Sequence, residues 1–324
     1  MKTNAIRLYE YGAPEVLQWV QIDLPEPAEG QAQIRHTAIG LNFIDTYHRT
    51  GLYPMDLPMG LGSEAAGIVE TVGAGVTDVA VGDRVVYAGS PTDAYSERRN
   101  FDASRLVPIP REMTDNVAAA VFLKGLTAWY LLRRSYCVQQ GDPILLYAAA
   151  GGVGSLASQW AKRLGATVIG VVSTDEKAAL ARSHGCDHII MADDNIPERV
   201  RELTGGEGVA AVYDSIGRDT FFASLDSLRP HGTMVTFGNA SGPVEPFAPA
   251  ELATRGSLYV TRPILFHYIG TREQLLQASD ELFAFIRQDG VDVRVGQTYA
   301  LRDAAQAHRD LEARKTTGST ILLP

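Results

Sequence analysis

Six short apolar segments between residues 144 and 260 alternate with segments of helical character, and this alternation constrains the fold more than any other feature. The apolar segments are residues 144–148, 168–172, 188–191, 209–213, 233–237 and 257–260. Strands that are apolar along their whole length are buried on both faces, and strands joined through helices pair in parallel. We therefore expect an α/β fold containing a Rossmann domain with a doubly wound, six-stranded parallel sheet.

The segments before and after this region predict a second, β-rich domain. Residues 1 to about 110 contain short apolar runs separated by glycine turns, which is typical of short antiparallel strands in a small barrel. The tail predicts a helix over 271–287, a β segment over 291–299, a helix near 302–313 and a last strand over 319–323. We expect this tail to return to the first domain, so that 1–125 and 265–324 form one domain and 126–264 the other.

Composition excludes several classes of protein. The chain has 324 residues, enough for two domains with their own cores, and 29 basic against 38 acidic residues give a net charge of −9. That acidic balance disfavours binding to nucleic-acid backbones. Two cysteines are too few for a disulfide framework or a four-cysteine zinc site. No apolar stretch approaches ~18 residues and no signal-peptide pattern opens the chain, so we expect a cytoplasmic protein.

A glycine-rich turn directly after the first of the six apolar segments carries the clearest chemical signal. The turn contains Gly151, Gly152, Val153 and Gly154, and Ala149 stands where the usual G-x-G-x-x-G motif has its first glycine. In dinucleotide-binding folds this turn lets backbone N–H groups and a helix N-terminus approach a pyrophosphate. Its place at the start of the strand and helix alternation predicts a dinucleotide site rather than an ordinary turn.

The residues after the second apolar segment favour NADPH over NADH. The first position is Ser173, where NAD-dependent proteins have an acidic residue for the ribose hydroxyls, and Lys177 follows within one helical turn. A hydroxyl and an ammonium can bind the additional phosphate of NADPH. Asp175 and Glu176 weaken this prediction, although both also suit the first turn of a helix. Lys177 could alternatively be a solvated surface lysine.

The whole chain resembles the medium-chain dehydrogenase/reductase superfamily, and within it the zinc-free NADPH:quinone oxidoreductases related to zeta-crystallin. The resemblance includes residues 12–17, 42–47, 51–54, 123–127, 148–154, 213–219 and 316–319. It implies a GroES-like β-barrel catalytic domain beside the Rossmann domain, NADPH as the cofactor and a quinone as the substrate.

The same resemblance implies that no catalytic metal is bound. Zinc alcohol dehydrogenases of the superfamily place Cys, His and Cys where this chain has Asn42, Ser63 and Leu123, and Ile44 replaces their proton-relaying hydroxyl. Leu cannot ligate zinc, and Ser and Asn are poor ligands beside thiolate or imidazole. Without a Lewis acid, a reductase needs an acceptor that takes hydride readily, and a quinone does so because reduction restores ring aromaticity.

Residue roles are carried over from the resemblance. It implies that Asn42, Tyr47 and Tyr53 line the substrate site, with Tyr47 as a hydrogen-bond donor or proton source, although these tyrosines could simply form its wall. Cofactor contacts are implied for the turn, for the Ser173 and Lys177 pair, and for Asn42, Thr127, Tyr130, Ser215, Gly217, Phe237, Gly238, Asn239 and Arg314. Arg314 could instead be a surface charge. Ala192 replaces a tyrosine that relatives can carry near the adenosine phosphate.

The sequence thus predicts an NADPH-dependent quinone reductase. Two alternatives stay open: an NADPH-dependent reductase of alkenal or enone double bonds, and a non-catalytic, crystallin-like NADPH-binding protein. We also expect a homodimer that pairs through the open edge of the Rossmann sheet between Leu258 and Arg262, because exposed strand edges with apolar residues invite pairing.

Overall fold

The computed structural model describes residues 1–324, and their mutual contacts divide the chain into two compact units. The first unit comprises Met1–Lys124, Thr271–Ile286 and Val293–Pro324, and the second comprises Gly125–Gly270 and Arg287–Asp292. The division expected from the sequence, 1–125 with 265–324 and 126–264, stays a prediction.

Sixteen strands follow one another along the chain. They are β1 (Lys2–Leu8), β2 (Gln18–Asp23), β3 (Gln31–Leu41), β4 (Met59–Gly60), β5 (Glu64–Val72), β6 (Arg84–Ala88), β7 (Arg98–Asp102), β8 (Val107–Pro108), β9 (Pro143–Tyr147), β10 (Thr167–Val172), β11 (His188–Met191), β12 (Val209–Asp214), β13 (Leu228–Thr236), β14 (Tyr259–Thr261), β15 (Val295–Ala300) and β16 (Ser319–Leu323).

Nine α-helices connect these strands. They are α1 (Phe43–Thr50), α2 (Asp115–Tyr130), α3 (Gly152–Arg163), α4 (Asp175–Ser183), α5 (Ile196–Leu203), α6 (Phe221–Asp226), α7 (Ala250–Thr254), α8 (Arg272–Ile286) and α9 (Ala304–Glu312). A π-helical turn, Leu131–Ser135, extends α2, and a 3-10 turn, Leu301–Asp303, precedes α9. No helix combines the length and apolar character needed to cross a bilayer.

The second unit contains the predicted six-stranded sheet, in the order β11-β10-β9-β12-β13-β14. All five pairings are parallel. The central strands β9, β10 and β12 consist almost wholly of buried residues, as expected for strands covered on both faces. The doubly wound fold is therefore confirmed, and its strands lie within a few residues of their predicted positions.

The first unit contains two sheets. Its larger sheet has the order β15-β16-β3-β5-β6-β8, with β7 also paired to β3, and its smaller sheet has the order β2-β1-β4. All pairings are antiparallel except that of β15 with β16. Strand β16 pairs with β3 and coincides with the last strand predicted from the sequence.

Candidate functional site

Four predicted cofactor segments lie at the carboxyl end of the parallel sheet. The glycine-rich turn follows β9, Ser173 follows β10, Ser215 follows β12 and Phe237 follows β13. Strand β9 pairs on one side with β10 and on the other with β12. The strand order therefore runs outward in one direction from β9 to β11 and in the opposite direction from β12 to β14. Such a topological switch point, outside the carboxyl ends of the strands, is where open α/β sheets bind their ligands.

The turn after β9 has the close backbone packing that a pyrophosphate site needs. Ala148 adopts the left-handed conformation with φ of 52°, and the Gly151 N–H donates to its carbonyl at 2.8 Å. A Cβ on Gly154 would lie 2.2 Å from that same oxygen, so only glycine fits there. Helix α3 starts at Gly152, and the buried Ser155 hydroxyl near its start has no partner within the protein. The N-terminus of α3 therefore fits a bound phosphate.

Ser173 and Lys177 frame the start of α4. Thr174 caps this helix by accepting a hydrogen bond from the Lys177 backbone N–H at 3.3 Å. Ser173 is exposed and Lys177 is half-buried. Asp175 and Glu176 occupy the first turn and are exposed, where they interact favourably with the helix dipole. The two acidic residues thus have a structural explanation in the dipole of α4.

A buried aspartate organises the loop that follows β12. Asp214 Oδ1 accepts the backbone N–H of Ile216 at 2.7 Å and of Gly217 at 3.1 Å. Its Oδ2 accepts the hydroxyls of Thr220 and Ser224, each at 2.7 Å. The four hydrogen bonds fix the loop that carries the predicted residues Ser215 and Gly217, although sequence reasoning gave Asp214 no role.

The loop after β13 packs directly on the loop after β12. A Cβ on Gly238 would lie 2.2 Å from the Ser215 carbonyl oxygen, and one on Gly217 would lie 2.6 Å from the Gly242 carbonyl oxygen. Phe237 donates its N–H to the Asp214 carbonyl at 2.8 Å. The predicted residues of these two loops, from Ser215 to Asn239, are thus brought together.

Three predicted cofactor residues lie outside the strand ends. Thr127 and Tyr130 are in the last turn of α2. The Tyr130 ring stacks on Tyr268 with ring centroids 5.1 Å apart and planes 4° apart, and burial raises the pKa of Tyr130. Arg314 belongs to the first unit, where it is exposed and has a left-handed backbone with φ of 58°.

In the first unit, helix α1 holds the three predicted substrate-site residues together. Asn42 directly precedes the helix and Tyr47 is 8% exposed. Gly51 ends the helix with φ of 79°, and a Cβ there would lie 2.9 Å from the Tyr11 ring. The chain then turns so that the Tyr53 N–H donates to the Tyr47 carbonyl at 3.1 Å and the two rings meet edge to face, with centroids 5.3 Å apart.

A buried ion pair holds the Asn42 side chain. Glu64, which is fully buried, receives the Lys124 ammonium at 2.9 Å and the Asn42 carboxamide nitrogen at 2.8 Å, both on Oε1. Its Oε2 accepts the backbone N–H of Leu123 at 2.7 Å. Every donor here faces a carboxylate oxygen, as a buried charge requires.

A second buried carboxylate, Asp45, belongs to the first turn of α1. It accepts the Asn42 backbone N–H at 2.9 Å, the Ser63 hydroxyl at 2.8 Å and the Tyr95 hydroxyl at 3.0 Å. Burial raises the pKa of Asp45 to about 6, against the opposing effect of these hydrogen bonds. The three positions compared with zinc ligands thus each donate a hydrogen bond to Asp45 or Glu64; they are Asn42, Ser63 and Leu123.

The structure contains no group of three or more His, Cys, Asp or Glu side chains arranged to hold a metal ion. Sequence reasoning missed four buried residues at these sites: Asp45, Glu64, Lys124 and Asp214. Asp45, Lys124 and Asp214 lie inside segments singled out for their resemblance, and Glu64 directly follows Ser63. A charged residue within an otherwise apolar segment is the signal that could have found them.

Both units match known families of domain. Residues 28–132 match the alcohol dehydrogenase GroES-like domain, which confirms the GroES-like domain expected for the first part of the chain, and residues 152–284 match the domain described as zinc-binding dehydrogenase.

Full-length relatives carry two kinds of name. A quinone oxidoreductase of Salmonella typhimurium is 52% identical over 323 residues, which cover 98% of this chain and 99% of that protein. A 2-haloacrylate reductase of a Burkholderia species is 45% identical over 325 residues, covering 98% of each chain. The crystal structure of the Escherichia coli quinone oxidoreductase complexed with NADPH superposes with a TM-score of 0.97 at 50% identity, covering 99% of this chain and 100% of that one.

Proposed function

Because the chain belongs to the quinone oxidoreductases of the medium-chain dehydrogenase/reductase superfamily, we propose that it is an NADPH-dependent quinone reductase. The observation that carries this proposal is full-length identity of 52% and 50% to proteins named quinone oxidoreductase, one of them solved with NADPH. The packed glycine turn after β9 and the unpartnered Ser155 hydroxyl support the cofactor part of the proposal.

We assign the cofactor to the carboxyl end of the parallel sheet. Gly151, Gly152, Val153 and Gly154 would hold the pyrophosphate, because their turn brings backbone N–H groups and the N-terminus of α3 to one point. Ser173 and Lys177 would hold the additional phosphate of NADPH. The further proposed contacts are Asn42, Thr127, Tyr130, Ser215, Gly217, Phe237, Gly238, Asn239 and Arg314.

The residues around α1 are proposed to receive the quinone. When bound, NADPH supplies a hydride, which carries both electrons needed to convert a quinone to a hydroquinone monoanion. The protein then has to orient the ring, exclude water and provide a hydrogen bond and a proton to the second oxygen. Tyr47 is our candidate for that donor, with Asn42 and Tyr53 orienting the substrate. The burial of Tyr47 against the Tyr53 ring supports this role.

Reduction of an activated carbon–carbon double bond is the second candidate function. It is favoured by one observation, the 45% identity to a 2-haloacrylate reductase. Hydride transfer to an enone uses the same donor geometry and differs in the acceptor.

Steady-state kinetics test the proposal and separate the candidates. We expect turnover of NADPH with 1,4-benzoquinone and larger ortho-quinones, at higher kcat/KM than with 2-cyclohexenone or 2-chloroacrylate. Faster reduction of the enone or chloroacrylate would favour the second candidate. Tight NADPH binding without turnover of any of these substrates would favour a non-catalytic, crystallin-like role.

We further propose that two copies pair through the β14 edge of the parallel sheet. Strand β14 has β13 on one side only. Tyr259 is 61% exposed and Ile264 is 50% exposed, and Phe266 is also exposed beside this strand. An open strand edge with exposed apolar side chains favours pairing with a second strand.

A cytoplasmic location is also proposed. Its support is that neither cysteine forms a disulfide, Cys137 being exposed and Cys186 buried.

A further inference from the structure

The orientation of the Asn42 side chain is fixed by its neighbours in the first unit. Its carboxamide nitrogen donates to Glu64 Oε1 at 2.8 Å and lies 3.5 Å from the Gly40 carbonyl oxygen. An amide oxygen in that place would face two acceptors, so the nitrogen must point inward. The carboxamide oxygen faces the Asp45 N–H in the capping box at the start of α1, and its second lone pair is what Asn42 can offer to a ligand.

Lys124 compensates the buried charge of Glu64. Its side chain is 8% exposed and that of Glu64 is fully buried, and their charged atoms lie 2.9 Å apart. Breaking a buried ion pair by removing one partner leaves an uncompensated charge. Glu64 remains an acceptor on both oxygens because the Lys124 ammonium and the Leu123 N–H complete its set of donors.

Glu64 is closely packed against strand β3. A Cβ on Gly40 would lie 2.2 Å from Glu64 Oε1 and 2.4 Å from the Ala119 carbonyl oxygen, so strand β3 contacts the carboxylate and helix α2 directly. The ion pair thus joins β3, β5 and α2 at the residue that precedes α1. Any shift of Glu64 would be transmitted to Asn42.

We infer that Lys124 is a positioning residue of the proposed reductase, which acts through Glu64 to hold the Asn42 carboxamide with its nitrogen inward and its oxygen toward the ligand. The inference rests on the proposed function and on the proposed place of Asn42 in the site. An amide oxygen accepts hydrogen bonds, so its partner is a hydrogen-bond donor. That donor is either an O–H or N–H group of the cofactor or a hydroxyl of the quinol as it forms.

The test compares Lys124→Met in two backgrounds, the wild-type protein and Asn42→Ala. The measurements are the Kd for NADPH from its fluorescence, and kcat and KM with 1,4-benzoquinone. We expect Lys124→Met to lower kcat/KM roughly 10- to 100-fold, the size expected when a reacting group is misplaced. In the Asn42→Ala background the same substitution should have almost no further effect. Lys162→Met, which removes an exposed ion-paired lysine, is the matched control.

The split between the measured constants identifies which molecule carries the donor. A weaker Kd for NADPH indicates a group of the cofactor, whereas a lower kcat at unchanged Kd indicates the quinol. Equal losses from Lys124→Met in both backgrounds would overturn the inference, as would a lower melting temperature with kcat/KM unchanged.

Should Lys124→Met fail to fold, the double variant Glu64→Gln/Lys124→Met replaces it, because it removes both charges together. A glutamine can offer either its oxygen or its nitrogen to Asn42, so the same kinetic loss is expected in a folded protein, and wild-type kinetics would overturn the inference. If the wild-type protein reduces no quinone, the proposed function fails on its own. The inference is then decided by Kd alone, and an unchanged Kd in Lys124→Met rejects it.

Discussion

The Arg49 guanidinium donates a hydrogen bond to Nδ1 of His308 at 3.0 Å, so this buried histidine is neutral and carries its proton on Nε2. That proton points to the Tyr95 hydroxyl at 3.1 Å, and Tyr95 in turn donates to Asp45. Arg49 itself is 1% exposed and forms a two-pronged ion pair with Glu312. A continuous hydrogen-bonded path therefore joins α9 to the first turn of α1, which carries the proposed substrate site.

The first prediction concerns stability in acid. Burial, together with Arg49, lowers the pKa of His308 to about 3. A group with a lowered pKa stabilises the fold fully above its unfolded pKa near 6.5, and this contribution is lost as the pH falls toward 3. Between pH 6 and 4, His308→Gln should reduce the pH dependence of the free energy of unfolding by roughly 1 kcal/mol per pH unit.

Urea unfolding at a series of pH values measures this slope. Asp45, whose pKa is raised to about 6, acts in the opposite sense: its contribution is complete below pH ~3.8 and is lost as the pH rises through 6. Asp45 is present in both proteins, so the difference between the wild-type and variant slopes reports mainly on His308, and His267→Gln controls for the loss of an exposed imidazole. Parallel wild-type and His308→Gln curves would contradict the prediction.

The second prediction concerns cofactor choice. Lys177→Glu places a negative charge beside the proposed additional phosphate, so KM for NADPH should rise roughly 10- to 100-fold, the worth of a charged hydrogen bond. KM for NADH should change little. Steady-state kinetics with both cofactors measure the difference, with Lys162→Glu as the control. Equal changes for NADPH and NADH would remove Lys177 from the phosphate site.

The third prediction isolates the Tyr47 hydroxyl. Tyr47→Phe keeps the ring that packs on Tyr53 and removes only the donor, so kcat with a quinone should fall by roughly 100-fold if the hydroxyl delivers the proton. The Kd for NADPH should stay as in the wild type. Tyr9→Phe, at an exposed tyrosine, is the control. Unchanged turnover would leave Tyr47 with a packing role alone.

The fourth prediction uses two glycines of the same turn. Gly154→Ala would bring a methyl group to 2.2 Å from the Ala148 carbonyl oxygen, whereas Gly151→Ala would bring one only to 3.2 Å. The first substitution must displace backbone and should weaken NADPH binding by at least tenfold, while the second should cost far less. Fluorescence titration with NADPH measures both. Similar affinities in the two variants would show that the turn tolerates a side chain.

The fifth prediction concerns assembly. Light scattering at micromolar protein should give twice the chain mass of 35.0 kDa. Tyr259→Asp places a charge on the exposed β14 edge and should shift the mass toward the monomer, because a buried unpaired charge opposes association. Tyr9→Asp, at a comparably exposed tyrosine of the first unit, should not. A monomeric wild-type protein would refute pairing through this edge.

The parallel sheet could be predicted closely because its signal is local. Strands such as β9 and β10 are apolar along their length, and the turn between β9 and α3 keeps two of the three glycines of the usual motif, Gly151 and Gly154. Helix α9 was also expected, although the predicted helix starts near 302 and the structure has a 3-10 turn, Leu301–Asp303, before α9 begins at Ala304. Hydrophobic periodicity predicts whether a segment is a helix or a strand. Whether the first turn of a helix is 3-10 or α depends on packing, which the sequence pattern does not contain.

The buried polar contacts could not be predicted in the same way. Lys124 and Glu64 are 60 residues apart, and Arg49 and His308 are 259 apart. No periodic pattern links such pairs, since their contact depends on how β3, β5, α1 and α9 pack. Resemblance pointed to Asn42 as a site residue, while the groups that orient it emerged only from the three-dimensional arrangement.

The four hydrogen bonds to Asp214 bear on the entropy of cofactor binding. Ordering a flexible loop on contact with a ligand costs about 1 to 2 kcal/mol for each residue that loses its freedom. The loop from Ser215 to Thr220 is already held by Asp214 through two backbone N–H groups and a hydroxyl. Its rigidity is established during folding, so ordering this loop would take almost none of the free energy of binding a dinucleotide at the proposed site.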